Sequence, residues 1–309
     1  MHPAKTKSLW MRPLTIIFIT VLVFNNLCNH SIIFGDSYRL FAPHKYLIAR
    51  AIKNWTIYAW YPWQRMGMPF VGDILAGWFY PLNLIYLIFP FGFAHRFFIF
   101  VHYPLAAIFM DMFLRRRGID RDSSLLGGLS FALSGYMVSQ QKNMVFLIGP
   151  AWAPLAVYFM DRALGGSVSW AFGAAAVLTI QVFAGEPQSA AITAFIVALM
   201  TIFVALNPSR RRAALGSLTI AGVFPVLLGA AQWLPTYELM QWSTRSGGKS
   251  SWMRSSTEPM FTGERISLTT APPSPVTALF WWAMPRLLWI HSTARAWIGF
   301  PSPPPAPPS

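Results

Sequence analysis

Carboxylate and amide side chains follow several long apolar runs of this chain, where they could carry out chemistry at a membrane surface. Asp36 comes just after the first run, Glu186 and Gln188 lie in the turn AGEPQ, and Glu238 follows the last clear run. A carboxylate in such a place can act as a general base or help to bind a divalent cation. A lone loop aspartate is more often only solvated, and Glu186 and Glu238 can be ordinary interface residues. Their common placement on one face of the molecule is therefore the stronger argument.

Cations lie in the same segments. Arg39 follows Asp36 closely, and Arg245 lies in STRSGG beyond Glu238. A guanidinium can stabilise the negative charge that develops on a leaving phosphate. Basic and apolar residues also alternate from Arg39 onwards, a pattern typical of an amphipathic helix on lipid headgroups. Surface anchoring is the simpler interpretation of its basic residues, which are Arg39, Lys45, Arg50 and Lys53, and contact with a lipid phosphate is the alternative.

The apolar runs that must position these residues dominate the composition. The chain has 309 residues, of which 55% are hydrophobic and 11% charged, whereas soluble domains carry about 25% charged residues. Its net charge of +14 could suggest nucleic-acid binding. The basic residues flank apolar runs and form no soluble basic face, so the sequence predicts a lipid bilayer as partner and no nucleic acid.

Arginine triplets at 115–117 and 210–212 each follow a long apolar run, and the intervening turns carry little charge. This alternation is the positive-inside pattern of a multi-pass membrane protein, and it predicts a cytoplasmic N-terminus. The expected fold is an all-α, polytopic bundle of about seven transmembrane helices with a long first external loop, about residues 35–95. Segment 75–89 is short and broken at Pro81, which favours an interfacial or re-entrant helix over a full span. The predicted spans are 14–34, 97–114, 125–138, 144–160, 170–184, 190–206 and 215–234.

The first external loop is rich in tryptophan, a residue typical of the aromatic belt at a membrane interface. Tryptophan also stacks on sugar rings, but the belt interpretation needs no ligand. The single cysteine, Cys28, excludes an internal disulfide and fits a small buried apolar residue. The sequence contains no phosphate-binding glycine loop, HExxH zinc helix or GxSxG turn, and its histidines lack metal-ligand spacing. A divalent cation at Asp36 is thus the sole cofactor that the sequence suggests.

The chain divides into two parts by composition. Residues 1–247 form the predicted transmembrane region, and residues 248–309 form a polar tail that ends in PSPPPAPPS. Such a tail is typical of a disordered extension. The abrupt change in composition also suggests an out-of-frame ending on a truncated gene product, and this alternative stays open.

The order of short motifs resembles the bacterial membrane protein YfhO family, part of the GT-C superfamily of membrane glycosyltransferases. The motifs are Asp36, WYPW, GMP, FYPLNLIY, GLSFALSGY, AWAPLAVY, AGEPQ, and QWLPTYEL with STRSGG. The similarity extends from about residue 30 to 247, and family members are much longer. It implies a polyprenyl-phosphate sugar donor and a cell-envelope acceptor on the outer face of the plasma membrane. Asp36 would be the base or support a metal, and the pocket candidates would be Arg39, Glu186, Gln188, Glu238 and Arg245.

Fold does not fix function, so two other classes remain open. One is a non-catalytic membrane protein, such as a flippase, an export component or an inactive fragment. The other is a small-solute transporter, although no predicted span carries an acid at its middle that could relay protons.

Overall fold

The computed structural model describes residues 4–24, 35–62 and 67–241, with side chains from residue 12 onwards. Arg245, Cys28, Trp63 and the tail 248–309 lie outside the described residues, as do residues 25–34 of the first predicted span. The predictions made for them therefore stay predictions.

The described residues are mostly helical, which confirms the predicted fold class at that level. The long helices are α1 (Ala4–Val23), α2 (Ala42–Lys53), α4 (Phe91–Phe100), α5 (His102–Arg116), α6 (Arg121–Ala132), α8 (Met144–Gly165), α9 (Trp170–Phe183), α10 (Pro187–Ala205), α11 (Arg211–Leu228) and α12 (Ala230–Gln241). Short helices are α3 (Ile85–Ile88) and α7 (Gly135–Ser139), with a π-helical turn at Ser37–Phe41 and 3₁₀ turns at Ile74–Ala76, Pro81–Leu84 and Gln140–Lys142. Strands β1 (Trp60–Tyr61) and β2 (Met68–Pro69) pair antiparallel, with Trp60 opposite Pro69.

Four helical segments of the described chain are long and apolar enough to cross a membrane. They are Phe91–Arg116, Met144–Gly165, Pro187–Ala205 and Arg211–Leu228, with lengths of 26, 22, 19 and 18 residues. The apolar helices Arg12–Val23 and Trp170–Phe183 are shorter. Each long segment overlaps a predicted span, with bounds that differ by up to six residues; Phe91–Arg116, for example, begins six residues before the predicted start at Phe97.

Two predicted apolar helices are interrupted. Within segment 125–138, α6 ends at Ala132, and the Ser134 side chain accepts a hydrogen bond from Met137 N to begin α7. Segment 75–89 contains two 3₁₀ turns and the four-residue α3. A left-handed residue at Gly77 (φ 62°) and the proline at position 81 separate these turns, so no continuous interfacial or re-entrant helix forms there.

The long helices pack in a layered order along the chain. α5 contacts α1, α6 and α8, α8 also contacts α9 and α10, and α11 packs on α9 and α10. The approach of α6 to α5 is very close, because a Cβ at Gly128 would lie 2.5 Å from Ala107 O. A small residue therefore allows close helix packing here. The largest buried cluster surrounds Tyr80, Phe98, Tyr103 and Leu147, where the first loop meets α4, α5 and α8.

The helix stack has two chemically different ends. We call the end that carries Arg116, Asp161 and Arg210 the arginine end, and the end where the first loop contacts the start of α8 the loop end. At the arginine end, Arg12 Nη1 lies 3.1 Å from Asp111 Oδ1, with both side chains buried, and Ser124 Oγ donates to the same oxygen. This buried ion pair joins α1 to α5 and α6.

Candidate functional site

Ser37 fixes the start of the first loop on α8. Its hydroxyl donates to Gln141 O (2.8 Å) and accepts from Met144 N (2.9 Å), so it satisfies an amide at the N-terminus of α8 from 107 residues away. Ser37 O is in turn 3.0 Å from the Nε2 atom of the buried His95. Gly35 has a φ of 80°, and a Cβ there would lie 2.5 Å from Lys142 O. The backbone around Asp36 is therefore fixed by both of its neighbours.

The side chains of Asp36 and Arg39, by contrast, take no part in this anchor. Both are exposed, and Asp36 makes no capping hydrogen bond to the π-helical turn that follows it. Neither side chain makes an ion pair or hydrogen bond with the described residues. The structure thus holds the backbone of Asp36 in place and leaves its carboxylate available for a ligand.

Glu186 has a different environment, because its side chain is only 3% exposed. Its Oε2 accepts a hydrogen bond from Ser189 N at 2.7 Å, so it caps the N-terminus of α10, and Pro187 occupies the first position of that helix. A Cβ at Gly149 would lie 3.4 Å from the same oxygen. Gln188 is exposed. The carboxylate that the sequence suggests for substrate binding has a structural role as a helix cap.

The middle of the first loop packs directly on this turn. Gly185 has a φ of 101°, and a Cβ there would lie 2.9 Å from Ile74 O. On the loop side, a Cβ at Gly77 would lie 3.1 Å from Ala184 O. Two left-handed glycines therefore allow two backbones to meet closely. This contact positions Glu186 against the first loop.

Lys45 lies beneath the same contact and is fully buried. Its Nζ donates to Ala76 O (3.1 Å), Gly77 O (3.4 Å) and Asn83 Oδ1 (3.0 Å), and it lies 5.2 Å from the centre of the Phe98 ring. None of these oxygens belongs to a carboxylate. Burial lowers the pKa of Lys45 to about 7. The predicted exposure of Lys45 on a headgroup-facing helix is therefore wrong, since its side chain holds the loop together from inside.

The last described helix also packs on the first loop. Gln232 Nε2 donates to Val71 O, and Thr236 Oγ1 donates to Gly72 O, both at 3.0 Å. Glu238, one turn from these contacts, is half-buried and makes no ion pair with the described residues. The predicted site residues Asp36, Glu186 and Glu238 therefore all lie at the loop end.

The acids nevertheless do not converge on a metal-binding set. The anchors of Asp36 and Glu186 on α8, Met144 and Gly149, are five residues apart, which corresponds to about 7–8 Å along a helix axis. The described residues contain no group of three or more His, Cys, Asp or Glu side chains that could hold a metal ion. The described residues around Asp36 therefore do not fit the divalent cation that the sequence suggests there.

Asp73 and the tryptophans of the first loop have different local environments. The Asp73 carboxylate accepts a hydrogen bond from Leu75 N at 3.1 Å, so it caps the 3₁₀ turn Ile74–Ala76. Trp55 and Trp60 are exposed, as an interfacial belt requires, but Trp78 is buried against Phe70. Only part of the aromatic set can therefore face a membrane interface.

Sequence reasoning missed Ser37 and Lys45 as organising residues. The sequence around Lys45 carried a usable signal, because His44 and Lys45 have the helical spacing that places them on the same face of α2 as the apolar Ile48 and Ala51, and all four are buried. Ser37 carried no such signal, since its partners at positions 141 and 144 are distant in the chain.

The chain was compared with family models, curated proteins and solved structures, and no match was found in any of the three comparisons.

Proposed function

We propose that the chain is a multi-pass protein of the bacterial plasma membrane, with a cytoplasmic N-terminus and about seven crossings. The arrangement of cations supports this orientation. Arg116 and Arg117 pair with Asp161, and Arg210 lines the same cavity, so both triplets contribute to one end of the stack. In this topology α6 and α7 together form one interrupted crossing, and the loop end faces outwards.

We further propose that the loop end transfers a sugar from a polyprenyl-phosphate carrier to a hydroxyl of a cell-envelope acceptor. The acceptor oxygen attacks the anomeric carbon, and the bond from that carbon to the phosphate oxygen breaks. Polyprenyl phosphate leaves with the bonding electron pair, and the acceptor proton moves to the Asp36 carboxylate. Arg39, three residues away, would stabilise the anionic donor. Gln188, Glu238 and Arg245 are proposed to contact the sugar or the acceptor.

One observation carries this proposal. The Asp36 carboxylate is exposed and unpaired among the described residues, although Ser37 and Gly35 hold its backbone firmly against α8. A general base needs both a fixed position and a free lone pair. Glu186 does not share this property because it is occupied as a helix cap, and its proposed contribution is to shape the pocket wall.

The test is sugar transfer in membranes that contain the full chain and are supplied with radiolabelled polyprenyl-phosphate hexoses. We expect Asp36→Asn to abolish incorporation into the envelope fraction at an unchanged protein level. Asp122→Asn is the matched control, because it removes an exposed carboxylate whose side chain is 95% accessible at the arginine end. Transfer that is retained in Asp36→Asn and equal to that of the control would refute the catalytic role.

The alternative is a non-catalytic role, such as lipid translocation or polymer export. The burial of Glu186 and its use as a cap favour this alternative, since one of the two acids expected in the pocket is already satisfied. The test uses membranes that contain the parent chain and a fluorescent polyprenyl-phosphate sugar. Movement of this lipid between the leaflets, without transfer of its sugar, would support the non-catalytic role.

A further inference from the structure

A cavity of about 590 Å³ lies at the arginine end, far from the proposed transfer site. Arg116, Arg117 and Arg210 line it together with a single acid, Asp161. Arg116 Nε and Arg117 Nη1 donate to the two oxygens of that carboxylate at 3.0 and 2.8 Å. One carboxylate thus accepts hydrogen bonds from two guanidinium groups, and each guanidinium group keeps further N–H donors for another acceptor.

A second cavity of about 420 Å³ shares Arg116 and adds Arg115 and Arg162. Arg162 is held in place by the Tyr158 hydroxyl (3.0 Å) and by the Trp170 ring, whose centre is 3.8 Å from its Cζ. Five arginines and one aspartate line the two cavities, and Arg115 also lies 4.0 Å from Asp111 outside the lining, so five guanidinium groups share two carboxylates. Like charges at this density repel one another, and a bound anion would relieve the repulsion.

The opposite wall of the larger cavity is apolar. Met200, Phe203 and Val204 of α10 form it, and Phe203 is 78% exposed. An exposed apolar face continues along α10 towards the loop end through Ile192, Phe195, Ile196, Leu199 and Ile202. The cavity is thus cationic on one side and leads into a surface suited to hydrocarbon on the other, a combination that matches an amphiphile.

We propose that this cavity binds the phosphodiester headgroup of an anionic phospholipid of the bilayer, with its acyl chains along α10. Arg116, Arg117 and Arg210 would donate to the phosphate oxygens, a geometry for which the planar guanidinium group is well suited. Inorganic phosphate would satisfy the charge but leave the apolar wall unused. A basic pocket between helices at this end is the kind of site that retains lipid headgroups.

The test measures lipid retention by the full chain, purified in detergent and stripped of lipid, using native mass spectrometry. The probes are phosphatidylglycerol, phosphatidylcholine, polyprenyl phosphate and inorganic phosphate. The variant Arg117→Gln with Arg210→Gln removes two lining charges and leaves the Arg116–Asp161 pair intact. Arg211→Gln with Arg212→Gln removes the same charge from exposed positions outside the cavity lining.

We expect the parent chain to retain phosphatidylglycerol in preference to phosphatidylcholine. Retention should fall about tenfold in the Arg117/Arg210 variant and stay near the parent value in the Arg211/Arg212 variant. An equal fall in both variants would overturn the proposal, because it would show diffuse attraction rather than a site. Displacement of the phospholipid by inorganic phosphate at millimolar concentration, or tighter retention of polyprenyl phosphate, would also overturn the assignment to a phospholipid.

Discussion

The polar side chains at the two ends of the helix stack have different kinds of partners. At the loop end, buried polar side chains such as Ser37 and Lys45 bond mainly to backbone carbonyls and amides, and the acids there are few. At the arginine end, guanidinium groups cluster around shared carboxylates, some buried and some exposed. The loop end is therefore shaped by backbone geometry, whereas the arginine end is shaped by charge.

We expect the largest effect of any substitution at the buried Arg12–Asp111 pair. Arg12→Met should lower the free energy of unfolding by about 3 kcal/mol, because the buried Asp111 carboxylate then keeps only the half-exposed Arg115, 4.0 Å away, as a cation. Both side chains in the pair are less than 10% exposed, so solvent cannot replace the lost partner. The measurement is thermal unfolding of the detergent-solubilised chain.

Two controls separate charge from packing. Asp122→Asn removes an exposed carboxylate that lies 3.9 Å from the same arginine, and it should leave the unfolding midpoint almost unchanged. Combining Arg12→Met with Asp111→Leu should recover most of the loss, because no unpaired charge then remains buried. A double variant as unstable as the single one would show that shape, and not charge, holds α1 in place.

Lys45 gives the pH test at the other end. Its pKa lies near 7 in the folded chain and near 10.4 when unfolded, so the unfolded chain binds more protons between these values. Stability should therefore rise from pH 7 to pH 9.5 by a few kcal/mol and stay level below pH 7 as far as this lysine is concerned. The measurement is chemical unfolding at several pH values.

The matched control is Lys45→Met, which keeps most of the length of the unbranched side chain and removes the titrating group. Its stability should lack the rise between pH 7 and pH 9.5, whatever its stability at pH 7. The same slope in both proteins would show that Lys45 is not the group responsible. Burial also raises the pKa of the Tyr80 and Tyr86 phenols. Both tyrosines are present in the parent chain and in Lys45→Met, so their contribution cancels when the two pH profiles are subtracted.

Sequence patterns could predict the helical class because apolar runs of span length are a direct consequence of bilayer thickness. They located α8, α10 and α11, with bounds that differ from the structure by up to six residues. They could not predict the break after Ala132 or the division of segment 75–89 into short turns, because these depend on Ser134 capping and on the contact between Gly77 and Ala184. The capping bond of Glu186 to Ser189 N is local in the sequence, but the burial of its carboxylate depends on α8 lying beside it.

We expect the smallest effect on stability at the exposed Arg117–Asp161 pair, in contrast to the buried pair that Arg12 forms with Asp111. The distance from Arg117 Nη1 to Asp161 Oδ1 is 2.8 Å, shorter than the 3.1 Å of the buried pair, yet the arginine side chain is 59% exposed. Arg117→Gln should change the free energy of unfolding by less than about 1 kcal/mol, because water and Arg116 replace the lost partner. Thermal unfolding at low and at 0.5 M salt is the measurement, and the small difference should vanish in salt. A loss comparable to that of Arg12→Met would mean that bond length and not burial sets the strength of these pairs, and the distinction drawn between buried and exposed charge at the arginine end would fail.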